Sequence, residues 1–279
     1  MSILSTLSNF EEPLIEAIQA VQKAADHIVL TANNNSPLKV TVKPDATLVL
    51  NLDLELQKIL LDNLKKLPIV SEEMPQTHSK IGTSSDYYVV DPLDGTTSAK
   101  RFLTAINSQV GFGPMVGVVN GGKVVGVVFF NTPQRKFFIA QLGKGCFVFD
   151  YGDNSGASMC RVNANCSLPL VSCAVLFYAG KNGELNVVNK LKNSDAVENF
   201  YRFGGFANDC SRLAQGFEQI QIQFSVKAWD LPAALLSAES GLDVRIDPFG
   251  IKVPIKDWVI QNENPLITAP CFDMVMPFL

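Results

Sequence analysis

The sequence predicts an α+β fold built in α/β layers, and three observations carry that expectation. Apolar residues recur at helical spacing through residues 4–64. From Val116 to Phe149 the pattern turns into short β-rich runs separated by turn residues, and beyond it strand-like and helix-like stretches alternate. At 279 residues, 47% of them hydrophobic, the chain can bury roughly three quarters of its unfolded surface without disulfides or a structural metal.

The elements follow in order. Leu4, Leu7, Phe10, Leu14, Ile18, Val21, Ala25 and Ile28 mark one face of a helix that is interrupted or restarted at Pro13. Asn33 to Pro37 ends it in a loop. Leu52, Leu56, Leu60 and Leu64 form the stripe of a second helix, closing at Leu67-Pro68. Ile69-Val70-Ser71 and Tyr87 to Val90 read as short strands, each running into a cluster of acids. Val116–Val119 and Val124–Phe130 flank the turn Asn120-Gly121-Gly122 as a hairpin, and Arg135–Ala140 and Cys146–Phe149 extend it into an antiparallel meander. Then come a strand near Val171–Leu176, a helix near Glu184–Leu191, a helix over Phe206–Gln215, a strand at Ile220–Phe224, a helix over Leu231–Glu239 and a strand at Leu242–Ile246. A boundary near residues 151–165 divides an N-terminal α+β half, 1–155, from a C-terminal α/β half, 156–279.

Composition narrows the function. Lys and Arg number 23 against 27 acids, a net charge of −4, which excludes a general nucleic-acid binder and a basic membrane-surface helix while leaving room for a small-anion pocket. No apolar run is long enough to span a bilayer, and Met1 to Leu7 lacks the basic start of a secretory signal, so a soluble cytoplasmic protein is expected. The six cysteines form no CxxC pair and are expected as reduced core residues. Neither His27 nor His78 sits in a triad context, Gly111-Phe112-Gly113 lacks the third glycine of a dinucleotide fingerprint, and no phosphate-binding GxxxxGK[ST] loop occurs.

What remains is acids at strand ends and helix starts: Glu72-Glu73, Asp91 with Asp94, Asp230 after Trp229, and Asp53 at the start of the second helix. Asp91 and Asp94 lie three apart across Pro92, and a tight turn there aims both carboxylates at one point. Gly95 permits close backbone approach, and Thr96 and Thr97 supply hydroxyls and N–H groups. Taken alone, Pro-x-Asp-Gly is equally an ordinary capped turn, Glu72-Glu73 a solvated pair, Asp53 a complement to the helix dipole and Asp230 an N-cap. Taken together, hard oxygen ligands without His or Cys select magnesium, manganese or calcium over zinc.

With these clusters in place, the chain resembles the lithium-sensitive, magnesium-dependent phosphatases: inositol monophosphatase, 3′(2′),5′-bisphosphate nucleotidase and fructose-1,6-bisphosphatase. The motifs that carry the resemblance are Ser71-Glu72-Glu73, Asp91-Pro92-Leu93-Asp94-Gly95-Thr96 and Trp229-Asp230-Leu231-Pro232-Ala233-Ala234, in the family's order. The resemblance implies an αβαβα five-layer sandwich, a homodimer, and a small phosphorylated substrate, with no nucleic-acid polymer or membrane as partner. It implies Glu72, Asp91, the Leu93 carbonyl, Asp94 and Asp230 as ligands for two or three Mg2+ ions. Thr96, with Asp53 as its acidic partner and Glu72 in the same catalytic set, orients the attacking water. Gly95, Thr96, Thr97 and the helix start at Gly205 cradle phosphate, and Gln223 and Asp230 face the rest of the substrate. Four positions depart from the family pattern: Leu50 for Thr, Ser71 for Gly, Pro232 for Ala, and Gln223 where inositol monophosphatases place a Glu. An amide there still hydrogen-bonds hydroxyls, without charge. The expectation is an inositol-phosphate phosphatase, the alternatives being a bisphosphate nucleotidase or a catalytically silent phosphate-binding regulator on the same fold.

Overall fold

The computed structural model describes residues 10–34, 39–42, 48–104, 110–152, 158–161, 174–177, 189–191, 193, 197, 199–201, 203–246, 253–269, 273 and 275–276. Leu4, Leu7, the loop at Asn35 to Pro37, most of the helix expected near Glu184 and much of the 151–165 boundary lie outside these residues.

Helix α1 spans Glu12–Asn33 and places Pro13 in its first turn, where a missing N–H breaks no helical bond. Its Leu14, Ile18, Val21, Ala25 and Ile28 are buried, the stripe read from the sequence. A short antiparallel hairpin follows, β1 (Val40–Val42) with β2 (Leu48–Leu50), leading into α2 (Asn51–Asn63), whose Leu52, Leu56 and Leu60 are fully buried. Strand β3 (Ile69–Ser71), a 3₁₀ turn at Pro75–Lys80, β4 (Tyr87–Asp94) and helix α3 (Thr96–Leu103) come next. The meander is β5 (Gly113–Asn120), β6 (Lys123–Asn131), β7 (Lys136–Gln141), β8 (Gly145–Asp150) and β9 (Ser158–Cys160). Its first hairpin turns on Gly121 and Gly122, both at positive φ (57° and 80°), as a two-residue loop between right-twisted strands requires.

Among the described residues the first large sheet has seven strands in the order β3-β4-β5-β6-β7-β8-β9, antiparallel except for the β3–β4 pair. The second half contributes β10 (Ala174–Phe177), β11 (Asn199–Tyr201), α4 (Phe206–Ala214), β12 (Ile220–Lys227), a 3₁₀ turn at Leu231–Ala233, α5 (Ala234–Ser240), β13 (Asp243–Ile246), β14 (Val253–Pro254) and β15 (Glu263–Ala269). Among the described residues its strands form a six-stranded mixed sheet in the order β11-β10-β12-β15-β13-β14.

Alternation along β4 shows how the layers stack. Tyr88 and Val90 join the cluster of α1 and α2, whereas Tyr87 and Val89 join the opposite cluster with Phe206 and Cys210 of α4, Leu235 and Leu236 of α5, and Val244 and Leu266 of the second sheet. The seven-stranded sheet is therefore apolar on both faces, and α4 and α5 lie between the two sheets. This is the layered α+β architecture expected from the sequence. Cys146, Cys160 and Cys210 are buried free thiols.

Three local expectations need correction. Asp91 to Asp94 is no tight turn: it is the end of β4, with a register shift between Asp91 and Asp94, and the reversal falls on Gly95 in the left-handed region (φ 80°). Residues 96–103, read for their hydroxyls alone, are helical. Strand β15 escaped the sequence reading because Glu263, Asn264 and Pro265 disguise its first half, yet it is central to the second sheet.

Candidate active site

The bulge at the end of β4 does what a turn was expected to do. It rotates two carboxylates that strand alternation would send to opposite faces, and both end up buried. Asp91 is fixed from within, its Oδ1 accepting the Leu93 N–H at 2.9 Å. Asp94 is fixed from another element: its Oδ1 and Oδ2 accept the N–H groups of Phe206 and Ala207 at 2.9 and 3.0 Å. The sequence reading gives these N–H groups at the α4 start to a phosphate; in the folded chain Asp94 takes them. Gly205, at φ 130°, makes this approach possible, since a Cβ there would stand 3.2 Å from Asp94 Oδ2.

Asp230 arrives from the corner between β12 and α5, its N–H donating to the Lys227 carbonyl at 3.1 Å. Asp91, Asp94 and Asp230 each present an oxygen within 4.8 Å of the others. Burial raises all three acids. Repulsion from Glu72 and Asp230 drives Asp91 further up, and repulsion from Asp94 and Glu72 does the same to Asp230. For Asp94 the α4 N–H groups oppose burial and the value settles at about 7. Glu72 repels every one of these acids without joining the three that converge within 4.8 Å, and its own N–H is tied to the Val90 carbonyl at 3.1 Å.

Asp53 meets Thr96. The Thr96 hydroxyl lies 3.3 Å from Asp53 Oδ1 and 3.2 Å from the Leu93 carbonyl. Asp53 Oδ2 accepts the Leu50 N–H at 2.8 Å, so the backbone at the start of α2 holds the carboxylate although Leu50 has no hydroxyl to offer. Burial lifts Asp53 to about 7, with Glu73 and Glu72 adding repulsion. Gly95, Thr96 and the exposed Thr97 form the first turn of α3, whose leading N–H groups precede the helix's own bonds.

The departures from the family pattern find places. Ser71 is buried and donates its hydroxyl to Gln57 Oε1 at 2.8 Å, a partner that carries no sequence signal. Pro232 packs on Gly117 of β5, where an added Cβ would come within 2.4 Å of its Cγ. Gln223 is buried on β12 opposite Leu266, just before the strand register shifts. A further residue passed over in the sequence is His78: its Nε2 lies 2.8 Å from the Ser71 carbonyl, and its ring lies 5.0 Å from that of Trp229.

The donor set is all oxygen, buried at Asp91 and Asp94 and half-buried at Asp230, and mutually repulsive, which fits a hard divalent cation. The model of the inositol monophosphatase family matches residues 10–244. The chain belongs to the inositol monophosphatase family. Among curated members of that family, the inositol-1-monophosphatase of Rhizobium meliloti (strain 1021) is 26% identical over 221 residues, covering 78% of this chain and 79% of its own. The Nus factor SuhB of Escherichia coli (strain K12) is 24% identical over 233 residues, 81% of each chain. Among solved structures, an IMPase/NADP phosphatase complexed with Mg2+ and phosphate superposes with a TM-score of 0.69 over 98% of this chain and 96% of its own, at 19% identity. That likeness establishes the inositol monophosphatase fold for this chain. Membership in the family makes a phosphatase the supported activity class.

Proposed function

We propose that the chain is a magnesium-dependent phosphomonoesterase of a small phosphorylated polyol, with inositol monophosphate the first substrate to test. The observation that carries the reading is the convergence of Asp91, Asp94 and Asp230 within 4.8 Å, beside the first turn of α3. Glu72, Asp91, Asp94, Asp230 and the Leu93 carbonyl would hold two or three Mg2+ ions. Bound there, such ions neutralise phosphoryl and leaving-group charge and acidify the attacking water.

The chain's own groups supply position. The α3 N–H groups at Thr96 and Thr97 receive the phosphoryl oxygens, with the helix dipole favouring their charge. The Thr96 hydroxyl and the Asp53 carboxylate hold a water in line with phosphorus, and Asp53, with a pKa lifted to about 7, is suited to take its proton. The new P–O bond forms as the ester P–O bond breaks, and the leaving alkoxide gains a proton to depart as the alcohol. Hydrolysis of phosphate monoesters is among the slowest uncatalysed reactions, so positioning and charge neutralisation must supply nearly all of the barrier reduction. Asp230, half-buried, and Gln223 would bind the alcohol portion of the substrate.

Phosphate release from inositol 1-phosphate, adenosine 3′,5′-bisphosphate and fructose 1,6-bisphosphate, each with Mg2+ and with chelator, tests the reading. Mg2+-dependent turnover of inositol 1-phosphate well above the others is expected, with inhibition by lithium in the millimolar order and a homodimer on sizing. Preference for the bisphosphorylated nucleoside would move the assignment to a nucleotidase; Gln223 in place of Glu weakens the specific inositol assignment without pointing to a nucleotide. Silence on all three with Mg2+ binding intact would favour a regulatory protein, as the name of the SuhB relative invites; the full set of acids argues against it.

A further inference from the structure

The Ser71–Glu72 peptide is held at both ends. Its N–H, belonging to Glu72, donates to the Val90 carbonyl at 3.1 Å, and its C=O, belonging to Ser71, lies 2.8 Å from His78 Nε2. A carbonyl can only accept, so Nε2 carries the proton and donates. The 3₁₀ turn that delivers His78 is itself tied to the same residue, because the Thr77 hydroxyl accepts the Ser71 N–H at 3.2 Å. The other face of the imidazole meets Trp229, with ring centroids 5.0 Å apart and planes inclined at 32°. Trp229 immediately precedes Asp230. One side chain thus joins the backbone next to Glu72 with the residue next to Asp230, two acids that reach the cluster from opposite halves of the chain.

We propose that His78 is a positioning residue: through its bond to the Ser71 carbonyl and its contact with the Trp229 ring, it sets the separation of Glu72 from Asp230 and so the affinity of the site for Mg2+. This rests on the metal-site reading above. The imidazole needs no contact with substrate or ion for this role. Each of its two contacts is replaceable separately: glutamine keeps an N–H donor without the ring, and phenylalanine keeps the ring without the donor. Groups that orient metal ligands from behind typically change metal affinity by about 10–100-fold when removed.

The test is calorimetric titration of the metal-free chain with Mg2+, beside thermal unfolding in chelator and the Mg2+ dependence of phosphate release. For His78→Ala the expected result is Mg2+ binding weakened roughly tenfold or more, with kcat at saturating Mg2+ falling far less than the affinity. His78→Gln and His78→Phe should each recover part of the affinity. Wild-type Mg2+ affinity in His78→Ala overturns the clamp. If His78→Ala does not fold, the more space-filling His78→Phe decides: weakened Mg2+ binding with unfolding temperature retained supports the clamp, and unchanged binding overturns it. Absence of Mg2+ binding in the wild type would instead bring down the phosphatase reading itself, and the clamp with it.

Discussion

At the scale of single residues, the two aspartates of β4 make opposite predictions. Asp91 Oδ1 accepts one N–H, from Leu93, and the group is strained by burial and by its acidic neighbours. Asp91→Asn keeps that acceptor and removes the charge, so the metal-free protein should unfold at a higher temperature at pH 8 while turnover is abolished. Asp94 accepts N–H groups with both oxygens. Asp94→Asn leaves one of them facing an NH2 group, a cost of about 1–3 kcal/mol that offsets the relief of repulsion. Turnover should again vanish, with no gain in unfolding temperature; undiminished activity in either variant would sink the metal assignment. Asp53→Asn keeps the Leu50 N–H bond through its carbonyl oxygen but removes the proton acceptor beside Thr96. Its expected loss in kcat is about 10²–10⁴-fold with little change in KM, read from steady-state kinetics. All three aspartates were legible in the sequence as candidates. Their partners were not, because a backbone N–H carries no mark in the sequence of whom it will meet.

At the scale of elements, what matters is how the Trp229–Asp230 corner seats on the seven-stranded sheet. Gly117 of β5 lies under Pro232, and a methyl group there would collide with the ring. Gly117→Ala should destabilise the chain by about 1–3 kcal/mol and weaken Mg2+ binding, because the displaced element carries Asp230. Chemical unfolding and Mg2+ titration together check this, and a variant that loses neither stability nor Mg2+ affinity would show that the contact is unimportant. The helix stripes, the β5–β6 hairpin and the meander were legible because periodicity and turn chemistry are local properties. The bulge at Asp91–Asp94 and strand β15 were not: each exists through pairing with a strand distant in sequence, Asp94 with Gly113 and Leu266 with Gln223.

At the scale of the whole molecule, the cluster couples stability to pH and metal. Asp53 and Asp94 have folded-state values of about 7 against an ordinary 3.8, so between those values the folded chain binds more protons than the unfolded one. Their contribution is complete below about pH 4 and is lost as pH rises through about 7. Glu16 and Glu55 shift the other way, held low by hydrogen bonds from Tyr88 and His27, and what they contribute is present above their ordinary 4.5 and lost only in more acidic solution. From pH 5 to 8 the metal-free protein should therefore lose stability, while Mg2+ at a hundred times its Kd restores about 2.7 kcal/mol. Calorimetric scans in chelator and in Mg2+ should diverge as pH rises, and parallel curves would contradict the site. Among the described residues no helix is long and apolar enough to cross a membrane.

By itself the sequence determined the layered class, the order of the early elements, and which acids are available for hard-cation chemistry, since side-chain type and apolar spacing are written residue by residue. Only the tertiary structure decided that Asp91 and Asp94 share a point through a bulge, that the start of α4 grips Asp94, and that His78 reaches Trp229. Those are matters of register and of distances closed across more than a hundred residues. They depend on how sheets pair and pack, which no window of the sequence contains.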